Sequence, residues 1–180
     1  MSKFYTKITP RIQNFIENQK IFFVATAPIS GRINLSPKGM ESFRVVDKNR
    51  VLWLSVTGSG NETGAHLLEN SRITIMFCAF EGAPNILRLY GKGKEIKKGD
   101  STWNDLIPLF PETPGTRQIF DITIESVQTS CGMSIPFFDY KSERHELNDW
   151  ASKKGDKGIK QYWEDNNQKS IDGLPTKILK

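Results

Sequence analysis

The residues richest in chemical possibility lie between Thr57 and Gly64, where three hydroxyls (Thr57, Ser59, Thr63), the amide of Asn61 and three glycines (Gly58, Gly60, Gly64) precede an apolar run. Glycines free backbone N–H groups, and a helix start adds partial positive charge, so the stretch would welcome an anion. Neither standard phosphate signature is met. The third glycine comes one residue late for the dinucleotide fingerprint, and the Gly-Lys-Ser/Thr of a Walker loop is missing. A second reading needs no ligand: Ser59 and Glu62 have the spacing of a capping box, with Ser59 capping the helix and Glu62 reaching back.

A second stretch, Asn34 to Gly39 (NLSPKG), adds Ser36, Lys38 and Gly39 in what reads as a loop. Lys38 offers the cation that the glycine turn lacks, and Pro37 and Gly39 would hold the backbone close. His66, on the short helix after the turn, could face a phosphate or bond a neighbour. His66 and His145 are the two histidines, and Cys78 and Cys131 the two cysteines. That is too few for a disulfide framework or a zinc cluster, so no metal site is expected. No pair of carboxylates suggests acid–base catalysis, and no catalytic residue is assigned.

The elements that must position these groups are mostly strands. Pro10 to Gln19 reads as an amphipathic helix, with Thr9 as N-cap and Pro10 at the first position. Ile21–Pro28, Ser42–Asp47, Val51–Val56, Arg72–Phe80, Pro84–Ile96 and Ile119–Thr129 are rich in β-branched and aromatic residues and bounded by turn formers. Asp47 to Arg50 joins the second and third of these as a hairpin. Gly91 and Gly93 interrupt a long strand where a sheet would have to curl. Short helices are expected at Glu62–Asn70 and Ser101–Leu109, and Phe110–Arg117 is a proline-rich loop. With no regular alternation of strand and helix, the fold class is mainly β (α+β): a six-stranded antiparallel barrel with peripheral helices.

Residues 1–130 form this barrel, and residues 131–180 a C-terminal helical arm within one overall domain. The arm holds helical stretches at Lys141–Lys154 and Gly158–Asn166, with Trp150, Tyr162 and Trp163. It cannot bury itself, so its aromatic residues are expected to pack on the barrel or on a dimer partner, crossing the subunit interface.

A net charge of +5 admits nucleic acid, an anionic membrane surface or a phosphorylated small molecule as partner. The lysines at 92–98 and 153–160 are mixed with acidic residues, which favours solvated surface. Phe22, Phe23, Trp53 and Phe77 lie in apolar runs and read as core rather than as base-stacking platforms. No apolar run approaches the roughly 20 residues of a membrane span. The start, MSKFYTK, lacks a secretory signal, so the expected location is the cytoplasm.

Taken together, SPKG, the hairpin carrying Phe43 and Arg44, VLWLSVTGSGNETGAHLLENSRITIMF and ILRLYGKGKEI resemble the FMN-binding split-barrel proteins related to pyridoxamine 5'-phosphate oxidase. SCGMSIP (Ser130–Pro136) and SIDGLP (Ser170–Pro175) resemble one branch of that group and extend the likeness over nearly the whole chain. The resemblance implies a six-stranded split barrel that dimerises and holds FMN at the interface. It implies that Thr57 contacts the flavin, and that Gly58, Ser59, Gly60, Asn61 and Thr63 wrap its phosphate. It further implies that Arg72 leads out of the short helix as in relatives, and that Arg44, Arg88 and Tyr90 approach the cofactor.

The oxidases themselves place a Ser-Arg-Lys cluster where this chain has Asn61-Glu62-Thr63, and they end in an Arg-x-His motif that SERHELNDW does not reproduce. The expectation is therefore an FMN-dependent oxidoreductase acting on a small molecule, with NAD(P)H as a candidate donor, as a homodimer. A non-catalytic flavin or heme carrier, or a deazaflavin protein, is the alternative.

Overall fold

Strand β5 (Arg50–Val56) is apolar at nearly every position because both of its faces are buried. Its Val51 and Trp53 point into one core with Ile75, Leu89, Phe120 and Ile122. Leu52 and Leu54 point the opposite way, onto Trp103, Leu106 and Phe110. A sheet with a filled interior and a partly covered outer face follows from that pattern.

The computed structural model describes residues 2–179. In chain order it contains β1 (Lys3–Tyr5), α1 (Pro10–Glu17), β2 (Phe22–Thr26), β3 (Asn34–Lys38), β4 (Phe43–Asp47), β5, α2 (Glu62–Glu69), β6 (Arg72–Cys78) and β7 (Ile86–Lys97). There follow α3 (Trp103–Leu106) with a short 3-10 turn, β8 (Thr116–Ser130) and α4 (Glu146–Asn166). The strands form one antiparallel sheet in the order β3-β2-β6-β7-β8-β5-β4, and β1 also pairs with β8. The sheet curls until β2, next to one edge, meets the opposite edge strand β4 through side chains: Phe22 and Phe43 have ring centroids 5.0 Å apart. The open ends β3 and β4 leave the barrel split.

Curvature has a local cause. The ladder between β7 and β8 shifts register at Tyr90/Gly91, where a Cβ on Gly91 would lie 2.2 Å from the Thr123 carbonyl oxygen. One face of α1, with Ile12 and Ile16, plugs the barrel interior. Thr9 caps it, accepting from the Ile12 N–H at 3.3 Å.

Three expectations are corrected. The sheet has eight strands rather than six. One of the additions is β1, three residues long. The other is β3, where NLSPKG was expected as a loop; Pro37 is tolerated there because β3 is an edge strand. The arm's first helix starts at Glu146, not Lys141, and its two helical stretches abut at Gly155, whose φ is 61°.

Candidate functional site

A cavity of about 630 Å³ opens beside β3 and the end of β5, bounded by the turn from Gly39 to Ser42 and by the glycine turn. Trp53 and Phe120 give it an apolar wall, while Leu147 and Ile171 reach it from the arm.

Three cations border this space, Arg32, which pairs with Asp172, and two without a carboxylate partner, Lys38 and Arg117. Lys38 lies on β3, its Nζ 5.4 Å from the centre of the Trp53 ring. Burial, with the nearby Arg117 charge adding to it, lowers its pKa to about 8. Arg117 enters β8 and is only 7% exposed. Its Nη1 donates to the Gly60 carbonyl (3.0 Å) and to Asn167 Oδ1 (2.9 Å), and its Nη2 to Ser55 Oγ (3.2 Å). Its Nε has no partner. Burial lowers this guanidinium to about 10, against the opposing pull of Glu95 and Tyr162. Among the described residues no carboxylate lies within ion-pair distance of either Lys38 or Arg117. Buried cations without a counter-charge are costly, and an anion in the cavity would relieve that cost.

The glycine turn adds donors. Among the described residues, no acceptor meets the backbone N–H groups from Gly58 to Gly64. The turn is not the capping box expected from Ser59 and Glu62. Helix α2 begins at Glu62 with Asn61 at the cap position, and no side chain caps it. The Asn61 amide instead exchanges hydrogen bonds with buried Gln118, at 3.3 and 2.7 Å. The Glu62 carboxylate accepts from the Ile171 N–H of the arm at 3.0 Å. Gly64 must lack a side chain, since a Cβ would meet the Asn61 amide at 2.8 Å.

Thr57 is buried, and its hydroxyl is fully engaged, donating to the Gly115 carbonyl and accepting from the Trp163 indole, each at 2.8 Å. The arm is thus pinned to the base of the turn, with further ties from Asn167 Nδ2 to the Gly58 carbonyl (3.1 Å) and from Arg32 to Asp172. These contacts all lie within one chain, so the docking of this part of the arm needs no second subunit.

The residues singled out from sequence divide cleanly. Ser36, Lys38, Gly39, Thr57, Gly58, Ser59, Gly60, Asn61 and Thr63 all border the cavity. Four others lie outside its lining. His66 is buried behind the turn, sharing a 3.0 Å hydrogen bond with Thr26. Arg44 donates to the carbonyls of Leu109, Glu41 and Phe43 and packs on Phe110. Arg72 bonds Asn70 at an exposed position, and Arg88 bonds Ser130. Arg117 was not anticipated. Its position at the end of a proline-rich loop carried no local signal, and only the pairing of β8 with β5 brings it to the turn.

The pattern described as pyridoxamine 5'-phosphate oxidase matches residues 8–131. A pyridoxamine 5'-phosphate oxidase family protein of Aspergillus flavus, ustO, is 34% identical over 193 residues, spanning 97% of this chain and 78% of the relative. Among solved structures, HupZ of Group A Streptococcus superposes with a TM-score of 0.52 at 21% identity, over 67% of this chain and 91% of that one. HutZ, the heme storage protein from Vibrio cholerae, gives 0.51 at 17% identity, over 71% and 98%. These two likenesses establish the shared fold. The chain belongs to the pyridoxamine 5'-phosphate oxidase family.

Proposed function

We propose that this member of the pyridoxamine 5'-phosphate oxidase family is a flavin-dependent oxidoreductase that holds FMN in the cavity between β3 and the glycine turn. The observation that carries the reading is the pair of cations, Lys38 and Arg117, that face one cavity without a carboxylate partner. Together with the free N–H groups of Gly58 to Gly64, they suit a phosphate. Trp53, beneath Lys38 and backed by Phe120, gives the cavity an apolar floor.

When bound, the flavin supplies the electron-transfer chemistry. The chain's own work is to bind and orient. Lys38 and Arg117 neutralise the phosphate, Asn61 is locked by Gln118 so that the turn keeps its shape, and Ile171 and Leu147 restrict solvent at the mouth. The substrate is a small molecule, with NAD(P)H as donor, and the working form is a cytoplasmic homodimer.

Pyridoxamine phosphate oxidation itself is disfavoured, because Asn61-Glu62-Thr63 replaces the oxidases' cationic cluster. A heme-binding role, suggested by the likeness to HutZ, has weaker support: the cavity lining offers no histidine or cysteine among the described residues.

The test is an absorbance spectrum of purified protein, followed by titration with FMN and with riboflavin. FMN is expected to bind at least about 100-fold more tightly, the combined effect of two charge-assisted contacts. Equal affinity for both, or no binding of either, would overturn the reading. A deazaflavin carrying a phosphate would compete for the same cations and is told apart by direct competition.

A further inference from the structure

Asn167 caps the C-terminal end of α4, about fifty residues beyond the cation it contacts, and is 0% exposed. Its side-chain amide makes two bonds of opposite sense: Oδ1 accepts from Arg117 Nη1 at 2.9 Å, and Nδ2 donates to the Gly58 carbonyl at 3.1 Å. This orientation is forced, because a guanidinium can only donate and a carbonyl can only accept. The backbone of Asn167 is held too, its N–H donating to the Trp163 carbonyl at 3.0 Å and its carbonyl accepting from the Thr176 hydroxyl. One residue of the arm therefore fixes a cation and the glycine turn at the same time.

We infer that Asn167 is a positioning residue for phosphate recognition: its amide holds the Arg117 guanidinium and the Gly58 peptide in the one arrangement that presents both to an anion. The inference rests on the proposed placement of a phosphate at this turn and assigns a role to the arm within it. Arg117 keeps two N–H donors free, the buried Nε and one on Nη2, and the three bonds to Gly60, Asn167 and Ser55 fix the plane in which they lie. Neutrality matters equally. An amide satisfies Nη1 while leaving the positive charge available to a ligand, whereas a carboxylate at the same place would cancel it.

That distinction supplies the test. Asn167→Asp keeps the size and the bond to Arg117 but adds a negative charge and loses the donor to Gly58. It is expected to keep a thermal midpoint close to that of the wild type while losing FMN affinity by about 10- to 100-fold, the range for a charge-assisted contact. Riboflavin affinity should stay unchanged, so the FMN-to-riboflavin preference collapses. In an Arg117→Gln background the neutral Asn167→Ser should cost less preference than it does in the wild type, the share that acts through Arg117 being already gone and the share that acts through the Gly58 peptide remaining. Should Asn167→Asp fail to fold, Asn167→Ser, uncharged and smaller, is measured in its place, with the preference again falling.

A wild-type preference retained in a folded Asn167 variant overturns the inference and leaves the flavin reading intact. Protection of the wild type from thermal unfolding by inorganic phosphate, without FMN binding, would do the reverse: the flavin reading falls, and Asn167 is tested on phosphate protection alone.

Discussion

Lys38 gives the sharpest quantitative test, because burial and Arg117 together lower its pKa to about 8 from an ordinary 10.5. Below pH 8 the free protein carries this charge and can offer it to a phosphate. As pH rises through 8 the free protein loses the proton, and binding must then restore it, so affinity falls by up to tenfold per pH unit. The fall ends at the pKa of the bound state. If a phosphate restores Lys38 to its ordinary 10.5, the decline spans about 2.5 pH units, or at most about 300-fold. The sign for stability is opposite. A lysine whose folded pKa is lowered binds fewer protons folded than unfolded between pH 8 and 10.5, so stability rises over that window. The apoprotein's thermal midpoint should therefore climb, relative to Lys38→Met, over the same range in which FMN affinity drops. Fluorescence titration of FMN from pH 6.5 to 9.5, with Lys38→Met and Lys38→Arg in parallel, measures it. The arginine variant should bind with a flat profile above pH 7, and the methionine variant flat and weaker, by about 10- to 100-fold at pH 7. A wild-type profile flat from pH 7 to 9.5, or one shared by Lys38→Met, would refute the assignment of Lys38 to the anion.

Other substitutions test neighbouring steps of the reasoning. Glu62→Gln removes a negative charge from the cavity lining while keeping an acceptor for the Ile171 N–H; FMN affinity should rise about threefold to tenfold at low salt, and a fall in titration would contradict the electrostatic account. Trp163→Phe deletes the indole donor to Thr57 and should cost about 1 kcal/mol in urea unfolding, with a comparable loss of FMN affinity if the arm supports the turn. Gly91→Ala would force a Cβ to 2.2 Å from a backbone oxygen of β8; a loss of about 3 kcal/mol or more is expected by chemical denaturation, since neither strand can yield there.

Strands with strong apolar character were legible in the sequence because their burial is written into composition: Val51 to Val56 could hardly be anything else. So were the Thr9 cap, the hairpin at Asp47 to Arg50 and the bend at Gly91, each fixed by local chemistry. What escaped notice was decided by distant partners. NLSPKG contains a proline and few apolar residues, and it becomes β3 only because β2 offers a free edge. The Ser59–Glu62 spacing satisfied a capping rule, yet Gln118, on a strand nearly sixty residues away, engages Asn61, and Glu62 turns to the arm. Arg44 and Arg88 had the right type and neighbourhood in sequence and lie outside the lining of this cavity, Arg44 bonded to backbone carbonyls and Arg88 to Ser130 through one nitrogen.

The same long-range logic explains how a turn with no cation of its own comes to be bordered by two. Asn61-Glu62-Thr63 brings no positive charge to the start of α2. Lys38 and Arg117 border the cavity from two strands, β3 and β8. Both charges are buried, which lowers the pKa of each, and Lys38 is lowered further by the charge of Arg117. A chain that adopts this solution needs something to hold the guanidinium in place while no ligand is bound. The arm does so: Asn167 holds Arg117, Trp163 holds Thr57, and the Ile171 N–H draws aside the one carboxylate at the turn that would oppose a phosphate. Cations placed on the strands and the C-terminal arm that holds them thus depend on one another, and substitutions in Arg117 and in Asn167 or Trp163 should couple in double-mutant cycles rather than add.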